Sequence, residues 1–146
     1  VTVYAYDYDG NKSNVASITF KIDTTPPTLV LDNPVDNLLV NTTSGTISGT
    51  TNDVTSSPVT VTATINGTSV GSITVNANGT FSKSVTWNEG ANTVVVTAKD
   101  SAGKTTTITR TVTVDLTPPT FTEVSISPNP TETGVSYTIS VTVTDS

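Results

Sequence analysis

The chain has 146 residues and a net charge of −6, with six basic residues, no cysteine and no histidine. That excludes a disulfide framework, thiolate metal sites and the Ser-His or Cys-His pairs of nucleophilic catalysis. The scattered Lys and Arg form no patch for a phosphate backbone, so nucleic acid is not an expected partner. Apolar residues make up only 34% and charged ones 12%, while threonine contributes 34 residues. Threonine is β-branched, favours strands and wets the outer face of a sheet, so an all-β chain with a thin Val/Ile core is expected. No apolar run approaches membrane-spanning length.

Residues 1–23 read as two strands. Val1, Val3 and Ala5 alternate as inward positions with Tyr4, Tyr6 and Tyr8 on the outer face; Asp9-Gly10-Asn11 turns the chain, and Ile18–Ile22 return. A lone hairpin is marginal in water, so this segment is expected to end a domain that begins earlier. Pro26-Pro27 then break the ladder, since neither donates a hydrogen bond, and make a short semi-rigid hinge.

The next strands start at Thr28–Leu31 and Thr46–Thr50. Val59, Val61, Ala63 and Ile65 alternate strictly, Asn66-Gly67 predicts a type I′ hairpin turn, and Val70, Ile73 and Val75 mark the return. Asn78-Gly79 predicts another turn, before Phe81–Trp87, Val94–Ala98 and Ile108–Val114. About seven strands spaced by turn signals fit an Ig-like Greek-key β-sandwich. Trp87 is in phase with Phe81 and Val85 and is expected in the core rather than as a sugar platform.

The hinge motif then returns. Asp23-Thr-Thr-Pro-Pro-Thr28 becomes Asp115-Leu-Thr-Pro-Pro-Thr120, 92 residues later, and Asp7–Lys12 resembles Asp100–Lys104. A period of one sandwich domain predicts tandem repeats. The expected division is 1–23 as the last two strands of a preceding Ig-like domain, 24–115 as a complete sandwich, and 116–146 as the first strands of a following one. In that last segment Val124, Ile126, Val135, Tyr137, Ile139, Val141 and Val143 supply the strand pattern.

Gly79-Thr-Phe81, Trp87-Asn-Glu-Gly90-Ala-Asn92, Ala98-Lys-Asp100-Ser-Ala-Gly103 and Val114-Asp115 before Thr-Pro-Pro together resemble bacterial Ig-like repeats, including those similar to glucodextranase domain B. The resemblance covers 24–115 and, by its tail, 1–23; Trp87 stands where an aliphatic residue is usual and Lys104 where Asn is common. It implies a non-catalytic module of a long extracellular protein: a surface layer, an adhesin stalk or a fibre. Alternatives are a glycan- or receptor-binding adhesin module and an accessory spacer of a secreted glycosidase. Expected partners are adjacent Ig-like domains of the same chain or neighbouring copies, with glycan as a further candidate and no membrane insertion.

The candidate site residues follow from chemistry at strand ends. Asp23, Asp100 and Asp115 stand at junctions, where carboxylates hold Ca²⁺ in domain arrays; the competing reading is turn formation. Calcium is the one candidate ion, and no other cofactor is expected. Asn11, Asn41, Asn66 and Asn78 head N-x-Ser/Thr sequons in turns and are the exposed glycan acceptors if the source glycosylates its surface; Asn129 precedes proline and does not count. Tyr4, Tyr6 and Tyr8 would offer an aromatic ladder to a partner or glycan, or simply pack across strands. Lys83 and Arg110, on inward phases, are read as snorkelling at a sheet edge, with an isopeptide cross-link through Lys83 as the alternative.

Overall fold

The computed structural model describes residues 1–127, 133–134, 136 and 138–145. Val135, Tyr137 and Asn129 lie outside them. The described residues form strands and turns, with no helix.

Two sheets face each other in the middle of the chain. The first is β3 (Thr28–Asn33), β5 (Ser44–Asn52) and β8 (Thr80–Thr86), in the order β3-β5-β8. The second runs β4-β10-β9-β6-β7, from β4 (Leu38–Val40), β6 (Thr60–Ile65), β7 (Thr68–Ser69), β9 (Gly90–Lys99) and β10 (Thr105–Val114). All pairings are antiparallel except one. β4 runs parallel to β10, matching Leu38, Leu39 and Val40 to Val112, Thr113 and Val114.

Alternation builds the core. Leu31, Ile47 and Phe81 point in from the first sheet; Val61, Ala63, Val94, Val96, Ala98, Val112 and Val114 point in from the second. Threonines fill the intervening outward positions, as a half-buried strand requires. Trp87, just after β8, is 2% exposed and closes one end of this core, as expected. A side chain at Gly45 would collide with it, because an added Cβ would lie 2.0 Å from the indole Nε1. Asn66 (φ 51°) and Gly67 (φ 80°) make the anticipated I′-type turn, whose paired positive φ values suit the twist of the hairpin.

Several strand expectations are corrected. The first hairpin is shorter: β1, Thr2–Val3, pairs with β2, Ala16–Ser17, and an isolated bridge joins Tyr6 to Lys12 nearer the turn. Ile18 still exchanges two main-chain hydrogen bonds with Val1, each of 2.9 Å, whereas residues 19–22 pair with no strand among the described residues. Val1 and Val3, read as inward, are exposed for the same reason. The return after Asn66-Gly67 pairs only over Thr68–Ser69 and then breaks into isolated bridges at Ile73 and Val75. β4 was not anticipated, since three residues after a turn carry no readable period.

The fourth sheet pairs β11 (Thr120–Ser127) with β12 (Thr138–Thr144). Its first pair, Thr120 with Thr144, lies 92 positions after the first pair of β3 and β5, Thr28 with Asn52. Phe121, Val124, Ile126, Ile139, Val141 and Val143 are exposed on it.

Candidate metal centre

Three loops converge where the hinge meets the first turn of the sandwich. Asp23 lies on the hinge, Asp53 follows β5, and Asp100 follows β9. One oxygen from each carboxylate lies within 4.8 Å of the other two. Asp100 is 5% exposed, whereas Asp23 and Asp53 are half-buried.

Each carboxylate is oriented by main-chain amides on one oxygen. Thr25 N donates to Asp23 Oδ1 at 2.9 Å; Thr55 N and Ser56 N each donate to Asp53 Oδ1 at 2.7 Å; Lys104 N donates to Asp100 Oδ1 at 2.8 Å. These are the Asx-type turns that short acidic side chains make in loops. The second oxygens are left over. Asp23 Oδ2 and Asp100 Oδ2 are enclosed by protein and accept no hydrogen bond. The Ser56 hydroxyl lies near enough to Asp23 to favour its charged form but without the directed geometry that would satisfy Oδ2. With that hydroxyl first, then the Thr25 amide and the charges of Lys21 and Lys104, Asp23 is held below the ordinary carboxylate range.

The loops are tied to one another and to the hinge. Ser101 N donates to Ser56 O at 3.2 Å, and the Thr106 hydroxyl on β10 donates to Pro27 O. The hinge is thus seated on the sandwich rather than held away from it.

Of the three junctional carboxylates expected from the sequence, the structure brings Asp23 and Asp100 together and sets Asp115 elsewhere. Asp115 follows β10, where its Oδ1 accepts from Thr117 N at 3.0 Å, the same turn that Asp23 makes with Thr25. The third member of the cluster is Asp53, which sequence reasoning missed. A signal existed: Asp145 stands 92 positions after Asp53, just as Asp115 follows Asp23.

The four sequons differ in what their amides do. Asn66 Oδ1 accepts from Thr93 N at 2.8 Å and its Nδ2 donates to Asn92 Oδ1 at 3.4 Å, so both ends are engaged. Asn11 Nδ2 donates to Asp7 Oδ2 at 2.9 Å. Asn78 Oδ1 accepts from the Thr80 amide and hydroxyl at 3.1 and 2.7 Å, and both Asn78 and Asn41 are exposed. Tyr4 and Tyr6 meet edge-to-face with centroids 5.6 Å apart, and Lys12 Nζ sits 3.7 Å from the centre of the Tyr4 ring. Tyr8 stands apart, fully exposed in the turn. Lys83 and Arg110 are half-buried.

A second polar feature lies at the opposite end of β9. Asn92 is fully buried. Its Oδ1 accepts from Asn88 N at 2.9 Å, and its Nδ2 donates to Asn88 O at 2.7 Å, Gly90 O at 3.0 Å and Val112 O at 3.4 Å. It staples the β8–β9 loop to β10.

The family model for glucodextranase, domain B, matches residues 27–116. Among solved structures, the fibronectin(III)-like modules of Clostridium thermocellum CbhA align with 77% of this chain at 22% identity and a TM-score of 0.53; the alignment spans 60% of that chain. The N-terminal Ig1-2 module of the Drosophila receptor protein tyrosine phosphatase DLAR aligns with 68% of this chain and 57% of its own, at 15% identity and a TM-score of 0.49. No curated protein matches at a significant level. No helix among the described residues is long and apolar enough to cross a membrane.

Proposed function

The chain belongs to the glucodextranase domain B family, and from that premise we propose that it is a structural segment of tandem Ig-like sandwiches in a long extracellular protein, forming a surface layer, stalk or fibre. The observation that carries this reading is the recurrence of one junction. Asp23 and Asp115 make the same turn with Thr25 and Thr117, each followed by Pro-Pro, and the strand pairs beyond them begin in the same register 92 residues apart. A repeated hinge with a repeated register is what a string of equivalent domains requires. The exposed apolar rows of β11 and β12, and of Ile18–Ile22, are then the inner faces of flanking sandwiches represented here in part.

Light scattering and limited proteolysis test the proposal on residues 24–115 and on the 146-residue chain. The shorter piece is expected to be a monomer that unfolds cooperatively, and protease is expected to trim the longer chain to about those limits. A 24–115 piece that fails to fold would overturn the domain reading. Regular polymers formed by 1–146 alone would make the end strands assembly elements that pair between copies.

A second reading is favoured by the name of the family, glucodextranase domain B: an accessory spacer in a secreted glycosidase. Catalytic carboxylates would then lie in another domain. The Tyr4–Tyr6 pair with Lys12 supports a narrower, adhesive role, which glycan titration followed at the Tyr4 and Tyr6 amides would detect.

A further inference from the structure

We propose that Asp23, Asp53 and Asp100 form a Ca²⁺ site that clamps the hinge onto the loops of the sandwich. Three acidic side chains alone would not carry this, since loop carboxylates commonly face water. The deciding observation is Asp100. It is 5% exposed, its Oδ1 is engaged by Lys104 N, its Oδ2 is buried without a donor, and one of its oxygens lies within 4.8 Å of an oxygen of each of the other two carboxylates. Buried acceptors are otherwise satisfied, and a buried charge without a partner is costly. A cation removes both penalties together, together with the repulsion among three like charges.

The spacing suits calcium. Its oxygens lie at about 2.3–2.6 Å, so two ligands of one ion stand at most about 5 Å apart, whereas Mg²⁺, at about 2.0–2.1 Å, requires them within about 4.2 Å. The three oxygens, all within 4.8 Å of one another, fit the span of one Ca²⁺. The main-chain amides on Oδ1 aim the carboxylates before any ion arrives, which lowers the ordering cost of binding. Three carboxylates supply part of the six to eight oxygens Ca²⁺ takes, leaving places for water or carbonyl groups.

The same ligand set is laid out along the chain. Asp7 occupies the position of Asp100: Asn11 N donates to Asp7 Oδ1 at 2.8 Å as Lys104 N does to Asp100 Oδ1, and Gly10 N and Gly103 N bond back to the carbonyls of Asp7 and Asp100 at 3.1 and 3.2 Å. Asp115 repeats Asp23, Asp145 repeats Asp53, and the two line one hollow with Thr117 and Pro118. Among the described residues one set of three is present; the recurrence rests on the tandem reading, but the site at Asp23, Asp53 and Asp100 does not.

The test titrates CaCl₂ into the 146-residue protein and follows the amides of Thr25, Ser56 and Lys104 by NMR, with calorimetry for stoichiometry. One ion is expected per chain, with a Kd on the order of 10⁻⁴–10⁻³ M, as for extracellular modules. Mg²⁺ is expected to bind at least tenfold more weakly. Asp53→Asn, at a half-buried loop position, should weaken Ca²⁺ at least tenfold while the β-sheet circular dichroism stays unchanged; Asp100→Asn should do the same, and Asp115→Asn should leave binding intact. The absence of saturable shifts at about 10 mM Ca²⁺, or shifts that persist in both Asp53→Asn and Asp100→Asn, would overturn the site. Either failure leaves the proteolysis result, and hence the array reading, unaffected.

Discussion

Asn92 shows how one polar side chain can be worth more than the apolar residues around it. It sits among Val94, Val112 and Val114 and satisfies main-chain groups of the β8–β9 loop and of β10 at once. Truncation removes the partner of the Asn88 amide and of the Asn88, Gly90 and Val112 carbonyls at a fully buried side-chain position. Asn92→Ala is therefore expected to destabilise the fold by about 2–4 kcal/mol, from about 1–3 kcal/mol per stranded buried group, measured by urea unfolding. Asn92→Asp should not rescue it, because a carboxylate cannot donate to Asn88 O, Gly90 O or Val112 O. In the sequence Asn92 reads as one more turn residue after Glu89-Gly90, since its principal long-range partner is 20 residues away. Asp53 was hidden in the same manner: each loop is intelligible alone, and only the fold brings the three together.

At the scale of elements, legibility followed period and turn chemistry. β6 and β9 alternate cleanly, and the Asn66-Gly67 turn demands positive φ twice, so they are legible from residues alone. β4 and β7 are too short to show a period, and residues 19–22 have strand-forming residues but no strand beside them among the described residues. Strand propensity describes a residue's fit to a pleated surface, and that surface must exist. The β5–Trp87 contact is another case in which packing, not propensity, chooses the residue. Gly45 lies in β5, where glycine is ordinarily unfavourable, because the indole occupies the space a Cβ would take. Gly45→Ala is expected to cost about 1–3 kcal/mol by overpacking, with a shift of Trp87 emission in the folded state and a lower urea midpoint. Gly45→Ala combined with Trp87→Leu should recover part of that loss, which distinguishes a steric clash from a change in strand propensity.

For the whole molecule, the thin two-sheet core explains the composition with which the sequence opened: threonine covers the faces, and five valines with Ile47, Leu31, Phe81, Trp87 and two alanines suffice between them. The parallel pairing of β4 with β10 has a mechanical consequence. The chain passes from the hinge through β3 before it enters β4, leaves β10 toward the next hinge, and β4 and β10 point the same way. Tension that reaches β4 through β3, and β10 from the other end, therefore pulls the two strands along their length in opposite senses. The hydrogen bonds at Leu38–Val40, and the one from Asp115 N to Val40 O at 2.9 Å, carry that load side by side instead of opening in turn. In single-molecule extension, a domain so built is expected to yield in one abrupt step per repeat. Val40→Pro, which keeps the side chain apolar but leaves the strand misshapen at its last paired residue, should lower the rupture force more than it lowers the urea midpoint. A protein strung from such domains would stretch little under drag until a whole unit gave way, and would then lengthen by about the contour of 92 residues, roughly 300 Å at about 3.3–3.6 Å per residue.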